Sequence, residues 1–222
     1  MRRCHITASA LVAAVVAFSA SYASAEEFTA HLKGFNEIGS IPTAFPAIAS
    51  TPSPSSATGY TGAVLSDGTG TAKLDLDKNA GTITYTLSYS NVGTTPPKTG
   101  TVLFAHIHFG KSRDSGGVLV FFCTNRPFGP PANTGPIPPA CPVNSGTVSG
   151  TWKAANVQAI SGQNVQAGDF DALVDALTSN TAYANVHTTS GTTPENAFPG
   201  GEIRGQVHLV KEEEKEQHDH GN

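Results

Sequence analysis

Residues 104–110 read Phe-Ala-His-Ile-His-Phe-Gly, and this stretch decides how the chain folds. Its alternating pattern is typical of a β-strand with one face in a core. Ala105 and Ile107 then point into the protein, and His106 and His108 project together from the other face. Two imidazoles on one face of a strand can chelate a metal ion. They can equally be two solvated histidines, so the stretch alone leaves both interpretations open.

Two later segments repeat the alternation and add further polar side chains. The segment Tyr-Ala-Asn-Val-His-Thr places Asn185 and His187 on one face of a strand. The segment Gly-Glu-Ile-Arg-Gly-Gln-Val-His places Glu202 and Arg204 on an outward face. If the three strands are neighbours, the sequence predicts one polar cluster, composed of His106, His108, His187, Glu202 and Arg204.

A metal centre is one interpretation of this cluster. Three imidazoles from two strands would suit copper or zinc and would leave one coordination position open. The predicted ligands are His106, His108 and His187. Asn185, Glu202 or a backbone carbonyl could then accept hydrogen bonds from the imidazoles and fix their tautomers.

A structural polar cluster is the other interpretation. Polar residues commonly occupy the solvent face of alternating strands without binding anything. Arg204 can pair with Glu37 or Glu202 and fix the edge of the sheet. That role would concern geometry more than stability, because surface ion pairs contribute little.

The rest of the sequence predicts an all-β domain. Eight or nine short strands are separated by regular turn signals, which indicates a β-sandwich or barrel. The clearest hairpin joins residues 70–77 to 82–89 across an Asn-Ala-Gly turn. Residues 60–65 are also predicted to form a strand. One helix is predicted over 169–179, because its apolar residues recur at helical spacing.

Residues 1–25 have the form of a signal peptide. Arg2 and Arg3 precede an apolar run at 8–20, and the chain then reaches an Ala-Ser-Ala motif. We therefore expect cleavage after Ala25 and export to the periplasm or the extracellular space. The apolar run is shorter than a membrane span, and no other candidate span follows it.

The remaining chain divides into one domain and a tail. Residues 26–210 are long enough for a single core, and within them the Pro/Ser-rich segment 42–56 is predicted to be an irregular insertion. Residues 211–222 are highly charged and are predicted to be disordered. This tail carries its own His-x-His pair, His218 and His220, which could bind metal weakly.

The net charge and the cysteines limit the binding partners and the cellular compartment that we expect. Of 13 basic residues, Arg2 and Arg3 fall in the predicted signal peptide, which leaves 11 against 17 acidic residues and a formal charge of −6. This balance excludes nucleic acid as an expected partner, because such proteins present a basic face. Cys123 and Cys141 are predicted to form a disulfide in the oxidising compartment. The expected partner there is an unidentified protein or glycan.

No common catalytic motif stands out. The sequence contains no Gly-x-Ser-x-Gly elbow, phosphate loop or His-Glu-x-x-His. Its acidic residues lie mostly in turns, the helix and the tail, so they suggest no catalytic pair. A non-catalytic binding or structural module is therefore the first expectation, with copper or zinc binding as the alternative.

Taken in order, the motifs resemble those of the CHRD domain, the module found in chordin and in many microbial secreted proteins. The matching stretches are Phe-Thr-Ala-His-Leu-Lys-Gly at 28–34 with Glu37, Ala-His-Ile-His-Phe-Gly at 105–110, Gly-Gly-Val-Leu-Val at 116–120, Tyr-Ala-Asn-Val-His-Thr at 183–188 and Gly-Gly-Glu-Ile-Arg-Gly-Gln at 200–206. The resemblance covers the mature domain. Departures are the insertion after Glu37 and the Pro-rich loop between the cysteines.

The resemblance implies an immunoglobulin-like Greek-key β-sandwich with a distant similarity to copper/zinc superoxide dismutase. A His-x-His strand supplies copper ligands in that enzyme, and His106 and His108 are similar to it. Superoxide dismutase activity is nevertheless disfavoured, because the enzyme needs a bridging histidine and a second, zinc site. The mature domain offers only five histidines, at 31, 106, 108, 187 and 208.

Overall fold

The computed structural model describes residues 26–38, 62–129, 133–189, 198 and 200–210. Within these ranges the chain forms nine β-strands, one α-helix and three short 3-10 turns. The strands are β1 (Glu26–Lys33), β2 (Thr69–Asp77), β3 (Thr82–Ser90), β4 (Thr101–Phe109), β5 (Val118–Thr124), β6 (Gly146–Trp152), β7 (Ala182–Thr189), β8 (Ile203–Gln206) and β9 (His208–Leu209). The helix α1 is Phe170–Thr178, and the 3-10 turns are Gly34–Asn36, Ala154–Asn156 and Ser161–Gln163. The predicted signal peptide, the 42–56 insertion and the 211–222 tail lie outside the described residues.

Eight strands form one antiparallel path in the order β5-β4-β7-β8-β1-β2-β3-β6, and β9 pairs with β1. The neighbours β3–β6 and β4–β7 are not consecutive in the chain, as in Greek-key folds. The two end strands approach each other: Trp152 Nε1 on β6 donates to the Phe121 carbonyl on β5 at 2.8 Å. Tyr85 Oη on β3 donates to the Phe122 carbonyl at 2.9 Å. The predicted all-β fold is confirmed, and its sheet curls almost into a barrel.

The β2–β3 hairpin follows the sequence pattern closely. All nine residues of β2 pair with β3, from Thr69 opposite Ser90 to Asp77 opposite Thr82. Alternate side chains on both strands are buried, as the alternation predicts. This hairpin and β1 lie on the other side of β8 from the strands that carry His106, His108 and His187.

Strand β5 departs from simple alternation because it contains two bulges. His106 pairs with Phe121 and Ala105 with Cys123, which leaves Phe122 without a partner residue. A second register shift leaves Leu119 without a partner residue as well. A bulge adds a residue to one strand and turns its side chain relative to the pleat. Both extra residues are fully buried, which explains why this strand is a continuous apolar run in the sequence.

The predicted helix is present, whereas one predicted strand is not. Asp169 Oδ1 accepts a hydrogen bond from Ala172 N at 3.0 Å and caps α1, whose buried side is apolar. Of the predicted strand 60–65, the described residues 62–65 form no strand. Val64 donates a backbone hydrogen bond to Gly34 and is buried, so it acts as an isolated core residue. No helix among the described residues is long and apolar enough to cross a membrane.

The predicted disulfide is present between Cys123, at the end of β5, and Cys141 in the following loop. Both cysteines are buried. Asn125 holds the same junction: its Nδ2 donates to the carbonyls of Val102 and Cys141, and its Oδ1 accepts from Cys141 N. The loop is therefore tied to both β4 and β5 at its base.

Candidate metal centre

The strand register brings the three predicted histidine ligands together. On β4, His106 and His108 share a face, and β7 runs antiparallel beside them. Phe104 pairs with His187 and His106 with Asn185, so His187 lies diagonally across from His106 on the same face. One ligand nitrogen from each histidine lies within 4.8 Å of the others. No other such group of His, Cys, Asp and Glu occurs in the described part of the chain.

This outer face of the sheet is covered rather than solvated. His106 is 2% exposed and His187 is 6% exposed, while His108 is partly buried. Phe104 stacks on the His106 ring at 5.0 Å and lies 4.6 Å from the His187 ring. Phe121 meets His106 edge-on at 5.3 Å. Aromatic side chains therefore enclose the imidazoles in a poorly hydrated pocket.

A hydrogen bond fixes the tautomer of His108 and thereby the nitrogen that it can offer to a metal ion. Its Nδ1 lies 2.8 Å from the Gly116 carbonyl, and a carbonyl can only accept, so Nδ1 carries the proton. The Nε2 lone pair is then available to a metal ion, with the Gly116 carbonyl orienting the ring. Nδ1 of His106 is buried and has no hydrogen-bond partner among the described residues. Such an atom is a candidate metal ligand.

Burial keeps these imidazoles neutral. It lowers the pKa of His106 well below the usual range, and His108 and His187 lower it further. Burial also lowers the pKa of His108 to about 3, with a smaller contribution from His187. At neutral pH both rings therefore keep the unprotonated nitrogen that metal coordination requires.

The donor atoms lie close enough together to converge on one transition-metal ion. At a metal–nitrogen distance of about 2.1 Å, three ligating nitrogens are about 3.4–3.6 Å apart in tetrahedral or trigonal geometry. Donor atoms that lie within 4.8 Å of one another would therefore have to approach by at most about 1.2–1.4 Å, which requires the rings to turn on metal binding. Three neutral nitrogens suit copper and zinc.

Glu37 and Asn185 form a second buried group beside the triad. Asn185 pairs with His106 across the strands, and its Nδ2 donates to Glu37 Oε1 at 2.8 Å. Burial raises the pKa of Glu37 to about 8, although Arg204 and the Asn185 hydrogen bond oppose the shift. Glu37 is therefore largely protonated near pH 7. Oδ1 of Asn185 is buried without a partner among the described residues.

Arg204 lies on the predicted outward face of its strand, but its side chain does not reach solvent and is only 3% exposed. Its Nη2 donates to the carbonyls of Lys111 and Asp114 at 2.9 Å each, so the guanidinium holds the loop between β4 and β5. It also lies 3.4 Å from the centroid of the Tyr183 ring, and that ring stacks on His108 at 4.6 Å. Arg204, Tyr183 and His108 thus form one continuous stack.

Glu202 does not join the histidines, contrary to the predicted single cluster. It is fully buried and accepts hydrogen bonds from Ser66 Oγ at 2.7 Å, Thr188 Oγ1 at 2.9 Å and Gly93 N at 2.9 and 3.0 Å. The reason is that Glu202 precedes β8 and follows Gly201, whose φ of 124° turns the chain. Strand alternation therefore does not set the direction of its side chain.

Sequence reasoning missed the aromatic walls of the site. Tyr183 and Phe104 lie on the same faces as the histidines by strict alternation, so period-two counting could have found them. Phe121 could not be found this way, because a bulge precedes it on β5. The carbonyl of Gly116 carries no side-chain signal at all.

A family profile described as CHRD domain matches residues 28–207, which includes every residue of the histidine triad, Glu37, Arg204 and Glu202. A search of curated proteins finds no match. The family match spans most of the chain and agrees with the resemblance seen in the motifs, so this chain belongs to the CHRD-domain family.

Proposed function

We propose that this protein is an exported, non-catalytic binding module that holds one copper or zinc ion through His106, His108 and His187. The observation that carries the proposal is the convergence of two buried imidazoles and one partly buried imidazole from two strands, with donor atoms within 4.8 Å of one another. Membership in the CHRD family supports a binding or structural module in general terms.

The tautomer of His108 supports the metal assignment. A solvated surface histidine would not need its Nδ1 proton directed to a backbone carbonyl and its ring stacked on a tyrosine. These contacts leave Nε2 as the free donor of a preorganised ligand. When bound, the ion would cross-link β4 to β7, the second and third strands of the sheet path.

The surroundings of the triad favour binding over catalysis. The nearby ionisable side chains are engaged in structural contacts: Arg204 holds two loop carbonyls, and Glu37 accepts from Asn185. A general acid or base must instead reach a reacting group. An assay for superoxide dismutation by the copper-loaded protein tests this part, and turnover that is lost in His106→Ala would contradict it.

Export is supported by the disulfide, because structural disulfides persist mainly in oxidising compartments. The test is mass spectrometry of the protein recovered outside the cytoplasm. A mature chain beginning at Glu26 is expected, and an uncleaved cytoplasmic chain would contradict the assignment.

Metal content is the decisive measurement for the binding proposal. The sample is tag-free protein with His218→Ala and His220→Ala, so that the tail cannot supply metal ligands. After equilibration with copper or zinc and removal of excess metal, we expect about one equivalent per chain. His106→Ala and His187→Ala should lose it, whereas His208→Ala, at an exposed histidine on β9, should retain it. Metal-free protein, or equal metal in all variants, would overturn the proposal.

A further inference from the structure

We propose that the histidine triad is selective for the cuprous ion, Cu(I), over the divalent ions Zn(II) and Cu(II). This inference rests on the proposed function, because it names the species that the same three residues bind. The inference follows from four features: the uncharged ligands, the aromatic side chains around them, the fixed positive charge of Arg204 and the low number of ligands.

The donor set carries no negative charge. Within the described residues, the group of potential ligands consists of His106, His108 and His187 alone. The two carboxylates that the sequence placed nearby are used elsewhere, since Glu37 accepts from Asn185 and Glu202 accepts from Ser66, Gly93 and Thr188. A bound ion therefore keeps its full formal charge, +1 for Cu(I) and +2 for Zn(II) or Cu(II).

The walls solvate a second positive charge poorly. Phe104, Phe121 and Tyr183 surround the imidazoles with aromatic rings at centroid distances of 4.6 to 5.3 Å. The Born free energy of transferring an ion from water into such a medium grows with the square of its charge. The transfer is therefore about four times as unfavourable for a dication as for a monocation. Ring faces offset only part of this cost by cation–π attraction.

A fixed positive charge acts in the same direction. The Arg204 guanidinium lies on the far face of Tyr183, 3.4 Å from the ring centroid, and Tyr183 stacks on His108. Coulomb repulsion from this guanidinium is twice as large for a dication as for a monocation. Because Arg204 is buried and hydrogen-bonded to Lys111 and Asp114, it cannot swing away to relieve the repulsion.

Coordination number favours the same ion. Zinc sites are almost always four-coordinate, and Cu(II) prefers tetragonal nitrogen and oxygen donor sets, so both need donors beyond three imidazoles. Cu(I) and Zn(II) both have a filled d shell, but Cu(I), the larger and singly charged ion, accepts a lower coordination number. Three imidazoles in an aromatic pocket are a sufficient ligand set for it.

A competition experiment tests the selectivity. The tag-free chain with His218→Ala and His220→Ala is loaded with one equivalent of Zn(II). It is then titrated anaerobically with Cu(I) kept reduced by ascorbate, and released zinc is followed with a chromogenic dye. We expect equimolar Cu(I) to displace the zinc, and His106→Ala to bind neither ion. Retention of Zn(II) would overturn the Cu(I) selectivity but would agree with the proposed metal-binding function. If the parent chain binds neither ion, both the selectivity and the metal-binding function are contradicted.

A matched pair of variants tests the electrostatic cause. Phe121 is partly exposed and meets His106 edge-on, so Phe121→Glu adds a carboxylate at the site, and Phe121→Gln makes the same steric change without charge. We expect Phe121→Glu to raise the affinity for Zn(II) relative to Cu(I) by about tenfold or more over Phe121→Gln. Equal preference in the two variants would contradict the stated cause.

Discussion

Replacing Glu202 by alanine is expected to destabilise the fold severely. The carboxylate is fully buried and is the shared acceptor of three donors that come from separate segments: Ser66, Gly93 and Thr188. A buried donor that loses its partner costs about 1–3 kcal/mol. The Gly93 N–H cannot rotate and should cost about 2 kcal/mol, whereas the two hydroxyls can reorient and should cost about 1 kcal/mol each. The sum predicts a loss of about 4 kcal/mol in the free energy of unfolding.

Urea denaturation of the parent chain and three variants measures this loss. Glu202→Gln keeps the size of the side chain but presents an NH₂ group to donors, so about half of the effect is expected. Glu26→Gln is the control, because Glu26 pairs with the exposed Lys78 at 2.6 Å and such surface pairs contribute less than about 1 kcal/mol. For a domain of this size, about 4 kcal/mol corresponds to a fall in Tm of roughly 8–16 °C. A Glu202→Ala variant within 1 kcal/mol of the parent would refute the reasoning.

Three further predictions follow from the site and the disulfide. Because burial raises the pKa of Glu37 from 4.5 to about 8, folding retains a proton that the unfolded chain releases. This contribution to stability is full below pH 4.5 and is lost as pH rises towards 8, at about 1.4 kcal/mol per pH unit. Urea denaturation at pH 5, 6 and 7 measures the free energy of unfolding of the parent and of Glu37→Gln. The parent should lose stability with rising pH by this amount relative to the variant, and the same pH dependence in both proteins would contradict the prediction. Replacing Cys123 and Cys141 by serine should lower stability by about 3 kcal/mol in the same assay, and an unchanged midpoint would argue against a stabilising crosslink. Cu(I) at a hundred times its Kd should stabilise the parent by about 2.7 kcal/mol and leave His106→Ala unchanged in thermal melts, whereas equal shifts would locate the ion elsewhere.

Most of what the sequence could predict about the site came from the alternation of side chains along each strand. Alternation placed His106 and His108 on one face of β4 and His187 on the matching face of β7, and the register confirms that geometry. It could also have identified Tyr183. These are local properties of each strand, because the pleat fixes the face on which a side chain projects.

Alternation failed where a side chain lies next to an interruption of the pleat. Glu202 follows a glycine with positive φ and turns inward, and Phe121 lies beside a bulge. It also cannot tell whether an outward face meets solvent or a covering loop. Arg204 is on the predicted face, yet it is buried, because residues 110–117 fold over it. The character of the site, hydrated or enclosed, was therefore beyond the sequence pattern.

The covering loop and the histidine triad depend on each other. Gly116 accepts from His108 Nδ1 through its carbonyl, and its N–H donates to Tyr183 Oη at 3.2 Å. A side chain at this position would collide with the Phe109 carbonyl, because an added Cβ would lie 1.7 Å from that oxygen. The loop can therefore pass close enough to orient His108 only with glycine here. It follows that Gly116→Ala should weaken metal binding without altering any ligand, because the ring of His108 would lose the contact that aims its Nε2.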